Sequence, residues 1–133
     1  MHLIVDAMNV IGSRPNGWWR DREGAARRLL GRLQRLAATT GDEVTAVLDG
    51  RPNRAMPEGA DEGVMVLWAN RRGPDAADDR IIELVREAEA PETMLVVTSD
   101  RALRERVEAL GANVEGASML LRRLDALEQE TDR

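Results

Sequence analysis

Four aspartates stand where apolar runs end or where an apolar helical stripe begins. Asp6 lies in "LIVDAM" at 3–8, Asp49 near the end of "VTAVLDG" at 44–50, and Asp100 at the end of "MLVVTSD" at 94–100. Asp78, in "DAADDRIIELV", keeps helical phase with Ile81, Ile82 and Val85, so it falls on the buried stripe. A carboxylate in either setting is costly without a partner. Carboxylates gathered together repel and lose hydration, which raises their pKa unless a cation neutralises them. With oxygen ligands only, Mg²⁺ or Mn²⁺ suits such a group better than Zn²⁺. An ion of that kind neutralises phosphate charge and lowers the pKa of a bound water, as phosphodiester hydrolysis requires.

Each acid also has a plainer role open to it. Asp49 with Gly50 is a common turn pair, and Asp100 could cap a helix beginning at Arg101, as Asp75 could cap one beginning at Ala76. The coincidence of four acids expected on one edge favours a site. Around them, Asn9 could bond a carboxylate or a phosphate, or satisfy the turn after the first strand. Asp79 is one position off the buried stripe, and Thr98 and Ser99 offer hydroxyls that could support the acids. Arg14, Arg71, Arg72 and Arg101 are the cations expected near this edge, with forked donors suited to phosphate. Trp18 and Trp19 could stack on a base or cover the core.

The elements that must position these residues alternate. Nearly continuous apolar runs at 3–8, 44–50, 64–69 and 94–100 read as strands covered on both faces, with a weaker fifth at 112–116. Helical spacing recurs at 24–38, 76–89, 101–110 and 117–128, and Gly41 and Gly111 supply stop signals. The segment from Gly50 to Gly63, rich in Pro, Gly and charge, reads as a mobile loop. Strands alternating with helices predict an α/β protein, a three-layer α/β/α sandwich on a mostly parallel sheet of four to five strands. Such a sheet gathers its C-terminal strand ends, where ligands bind.

Composition narrows the chemistry. The chain has 133 residues, enough for one domain with a substantial core. It contains no cysteine, and its one histidine, His2, stands beside Met1, so thiol chemistry and a Ser/His/Asp triad are excluded. There is no Gly-rich phosphate loop and no Ser nucleophile elbow. No stretch resembles a membrane span or a signal peptide, which predicts a cytoplasmic protein without a membrane partner. The net charge of −5 opposes nucleic-acid binding in sum, yet seven arginines lie between Arg14 and Arg35 against only Asp21 and Glu23.

The pieces "IVDAMNVIG", "GWWRDREGAARRLLGRLQRL", "VTAVLDG", "DAADDRIIEL" and "VVTSDRALRERVEALGA", taken in order, resemble the NYN-domain branch of the PIN-like ribonucleases, most closely its bacterial YacP-like members. The resemblance covers nearly the whole chain. It implies a PIN-like fold, a Mg²⁺ or Mn²⁺ site and endonucleolytic cleavage of RNA, single-stranded or structured. It matches Asp6, Asp78 and Asp100 to the family's acidic cluster, Asp49 to its second-strand acid, and Asn9 to the polar residue after the first acid. Ala7 and Met8 depart from the family's glycine and aromatic, and Asp79 leaves the helical acid ambiguous by one residue. A homodimer and a ribosomal or RNA-processing partner are further expectations. Two competitors keep the fold but change the activity. A nonenzymatic RNA-binding module would have to bear an anionic pocket, and a Mg²⁺-dependent small-molecule phosphoryl-transfer enzyme would need a second acid where Met8 stands.

Overall fold

Strand-forming runs rich in Val, Ile and Leu open and punctuate the chain, and each is followed by a segment of helical periodicity. The computed structural model describes residues 1–71, 73 and 75–131. Strand β1 (His2–Asp6) leads directly into a short helix α1 (Ala7–Gly12), and helix α2 (Arg22–Thr40) follows a 3₁₀ turn at Trp18–Arg20. Then come β2 (Glu43–Leu48), β3 (Gly59–Asp61), β4 (Val64–Trp68), α3 (Ala76–Glu87), β5 (Met94–Val97), α4 (Arg101–Ala109), β6 (Asn113–Glu115) and α5 (Ala117–Thr131). Among the described residues no helix is long and apolar enough to cross a membrane.

The sheet has six strands in the order β3-β4-β2-β1-β5-β6, so the expected four to five strands are corrected upward. The addition is β3, inside the segment expected to be a mobile loop. It pairs antiparallel with β4, Gly59 opposite Val66 and Asp61 opposite Val64, and no apolar run marks it. All other pairings are parallel. Successive residues of β1 serve opposite faces. Leu3 and Val5 pack with α1, α2 and α5, whereas Ile4 packs with α3 and α4. The three layers expected from the alternation are therefore present.

Local chemistry fixes where α2 begins and ends. The Asp21 carboxylate accepts from the Gly24 amide at 3.0 Å, satisfying a helix N–H that has no partner in the first turn. Gly41 closes the helix at φ 75°, a left-handed conformation that glycine adopts without strain. The helix α1 was not expected from the sequence. Its six residues span less than two turns and give no full amphipathic period.

The fully buried Leu33 of α2 stands in the larger core, and Leu33→Ala is expected to lower unfolding free energy by about 2–5 kcal/mol. Urea denaturation checks this, and a loss below about 1 kcal/mol would contradict the packing described.

Candidate active site

The chain runs from β1 outward to β2 and β4, then returns to place β5 on the other side of β1. Strand order reverses there, and the connections leaving β1 and β5 diverge to opposite faces, opening a crevice at their C-terminal ends. Asp6 ends β1 at this crevice and is only 5% exposed. Thr98, the residue after β5, is fully buried, and its hydroxyl donates to Asp6 Oδ2 at 2.8 Å. The same hydroxyl accepts from the Asp100 amide at 3.1 Å, so one side chain sets the positions of two acids.

Asp49 follows β2, Asp78 projects from the first turn of α3, and Asp100 begins α4. Asp6, Asp49, Asp78 and Asp100 all line one depression of about 250 Å³. Asp100 also caps α4, its Oδ1 accepting from the Leu103 amide at 2.9 Å, so the capping role open to it in the sequence is realised alongside its place in the depression. Asp75 stands at the N-cap position of α3 without a side-chain capping bond. Asp79 turns away from the depression, pairing with Arg71 at 2.6 Å and lying 3.9 Å from Arg106. Between the two adjacent acids, Asp78 is the one that meets the other carboxylates.

Asn9 stands on α1, and its Oδ1 accepts from the Ser99 amide at 2.8 Å, clamping the turn after β5. The Ser99 hydroxyl instead accepts from the Ala117 amide at 2.9 Å, where α5 starts. Of the arginines, Arg14 is bound to Asp125 at 2.8 Å, outside the depression. Arg71 is held by Asp79 nearby, and the exposed Arg101 lies 3.5 Å from Glu105. Arg72 lies outside the described residues. Two residues that the sequence did not single out for the acids, Met8 and Arg22, line the depression with Trp18. The Arg22 guanidinium sits over the Trp18 ring, 5.3 Å from its centroid. The run "WWRDR" carried a signal for this pair, because a cation and an indole four residues apart can meet across a turn.

The electrostatics follow from burial. Asp6 is pushed up to about 6, first because it is desolvated, with further upward pressure from Asp78, Asp100 and Asp49; the Thr98 hydrogen bond opposes the shift. Asp78 is also pushed up to about 6, by desolvation and then by Asp100 and Asp75, with Arg106 opposing. The donor set is all hard oxygen, and mutual repulsion among these acids is what a divalent cation relieves. Among the described residues, however, no three acidic or histidine side chains already stand close enough to hold a metal ion. The donors fit Mg²⁺ or Mn²⁺ in kind, and coordination would need the carboxylates to draw together around the ion.

The raised values set a pH dependence. A folded-state pKa of about 6 against an ordinary 3.8 means that the fold retains protons the unfolded chain has lost. That contribution is complete below about pH 3.8 and disappears as pH rises through about 6. For Asp6 alone it amounts to about 3 kcal/mol. In chelator, Asp6→Asn is therefore expected to melt higher than the wild type at pH 8, with the difference shrinking toward pH 4. A thermal scan series would refute this if the variant were the less stable of the two at pH 8.

Comparison with known proteins identifies the family. The sequence profile described as the YacP-like NYN domain matches residues 3–133. The chain is similar to the crystal structure of Rae1 (YacP) from Bacillus subtilis in two forms. A tryptophan-to-leucine mutant gives a TM-score of 0.79 at 25% identity, over 99% of this chain and 79% of that one. The other form gives 0.73 at 25% identity, over 100% and 78%. No curated protein matches the chain. The protein thus belongs to the family of YacP-like NYN domains.

Proposed function

We propose that the protein is a Mg²⁺- or Mn²⁺-dependent endoribonuclease that hydrolyses phosphodiester bonds of single-stranded RNA in the crevice beyond β1 and β5. Membership of the YacP-like NYN family supplies the coarser part, an RNase-type hydrolase at the family level with RNA as its substrate. The finer part rests on one observation above the others: four aspartates from four separate segments line a single depression at the C-terminal edge of the sheet.

Asp6, Asp78 and Asp100 would hold the ion, with Asp49 direct or through water. When bound, such an ion supplies positive charge to the phosphate and a water of lowered pKa for in-line attack. The protein's own groups do the rest. Thr98 fixes the Asp6 carboxylate from below, and its bond to the Asp100 amide keeps the two acids at a constant separation. Asn9 holds the Ser99 backbone against α1, so the acids on β1 and after β5 cannot drift apart independently. Arg22, placed over Trp18 at the wall, is positioned to take the phosphate backbone. That no trio of ligands is preformed among the described residues is the observation on the side of the competing view, an RNA-binding module without hydrolysis.

Labelled single-stranded RNA and a small phosphomonoester, each incubated with Mn²⁺ or with chelator, separate the readings. Cleavage of RNA alone, only with metal, and at least about 100-fold slower in Asp6→Asn is expected. Thr98→Ala is expected to lose about 10–100-fold, the usual cost of removing a group that orients a metal ligand. RNA binding without cleavage under every metal condition would replace the nuclease by the binding module.

A further inference from the structure

A larger cavity of about 510 Å³ adjoins the carboxylate depression and is not used by the hydrolysis itself. The two share Met8, Arg22, Asp49 and Gly73 in their walls, so a strand lying across one passes the mouth of the other. The far side of the cavity is apolar: Leu48 ends β2, Trp68 ends β4, Ala26 comes from α2, and Met56 from the segment before β3.

This wall is built rather than incidental. The Trp68 indole N–H donates to the Met56 carbonyl at 3.0 Å, and both side chains are buried. Asn53 Oδ1 accepts from the Ala55 and Met56 amides at 2.9 Å each, folding the segment that carries Met56. The Glu58 carboxylate accepts from the Trp68 amide at 3.0 Å. Charged groups line the rest of it: Arg22 and Asp49 on the wall shared with the depression, and Glu23 in the first turn of α2 and Arg51 after β2, both exposed. A chamber of this size, with one apolar wall facing charged groups, suits a planar heteroaromatic ring. Unstacked RNA bases are held in that way.

We propose that this cavity receives one unstacked guanine of the RNA, adjacent to the scissile phosphate, and thereby sets where along a strand the enzyme cuts. The assignment rests on the nuclease reading of the adjoining depression. Guanine alone among the four bases presents two neighbouring donors, N1–H and its amino group, which one carboxylate such as Glu23 accepts together. Its O6 and N7 accept from one guanidinium, such as that of Arg51. Adenine would turn a ring acceptor toward the carboxylate, and each pyrimidine offers it one donor only.

The test is a set of single-stranded oligoribonucleotides, identical except for the base beside a fixed cleavage position, assayed for kcat/KM with Mn²⁺. Guanine is expected to exceed adenine by about tenfold or more, with inosine, which lacks the amino group, in between. Glu23→Gln and Arg51→Met, both at exposed positions, should bring the guanine-to-adenine ratio close to one. Equal kcat/KM for all four bases in an active enzyme overturns the guanine pocket while leaving the nuclease in place. If no RNA is cut with any metal, the nuclease reading fails and the pocket is decided by guanosine monophosphate titrated against the Trp68 indole N–H resonance. A saturable shift, weaker by about tenfold with adenosine monophosphate, supports the pocket, and no shift overturns it.

Discussion

The hydrogen bond from the Thr98 hydroxyl to the Asp6 carboxylate is the contact on which the edge of this sheet depends. Asp6 ends a strand flanked by β2 and β5, where water has little access and a bare carboxylate would be costly. Thr98 supplies a donor from the neighbouring strand's end and accepts in turn from the Asp100 amide. The bond exists only because β1 and β5 pair in register from His2 opposite Met94 to Val5 opposite Val97. A shift by one residue would turn Thr98 to the other face and leave Asp6 without it.

That one hydroxyl does not settle the charge of the depression. Burial and neighbouring acids hold both Asp6 and Asp78 above the usual carboxylate range, so the folded chain carries unfavourable electrostatics at neutral pH. Sites of this kind persist when the strain serves a ligand, because an arriving cation recovers the repulsion as binding free energy. The apolar clusters on both faces of the sheet make the fold able to tolerate it. Stability and the proposed chemistry are in tension at Asp6 and Asp78.

The arginines divide by partner. Arg14 and Arg32 converge on Asp125, and Arg32 also meets Glu128 at 2.6 Å, tying α5 to the segment after α1 and to α2. These cations serve the packing of helices, and a phosphate would have to compete with their carboxylates. Arg22 differs, because its guanidinium lies on an indole face and lines both the acidic depression and the neighbouring cavity. A negative overall charge and a local capacity for RNA are thus compatible, since the partners of each arginine matter more than their sum.

Much of this was legible in the residues. Apolar runs covered on both faces, separated by helical periodicity, determine a parallel sheet between two helical layers, and the strand ends then carry Asp6, Asp49 and Asp100 to one edge. Phase with Ile81 and Ile82 selects Asp78 over Asp79. These are local signals, and local periodicity survives in the sequence. The short elements did not announce themselves: α1 is too brief for an amphipathic period, and β3 exists through its pairing with β4. Partner choice was equally hidden. Ser99 caps α5, Asn9 clamps Ser99, and Arg14 reaches Asp125 across 111 positions of chain. Such contacts depend on which distant segment packing brings within about 3 Å, and only the folded chain decides that.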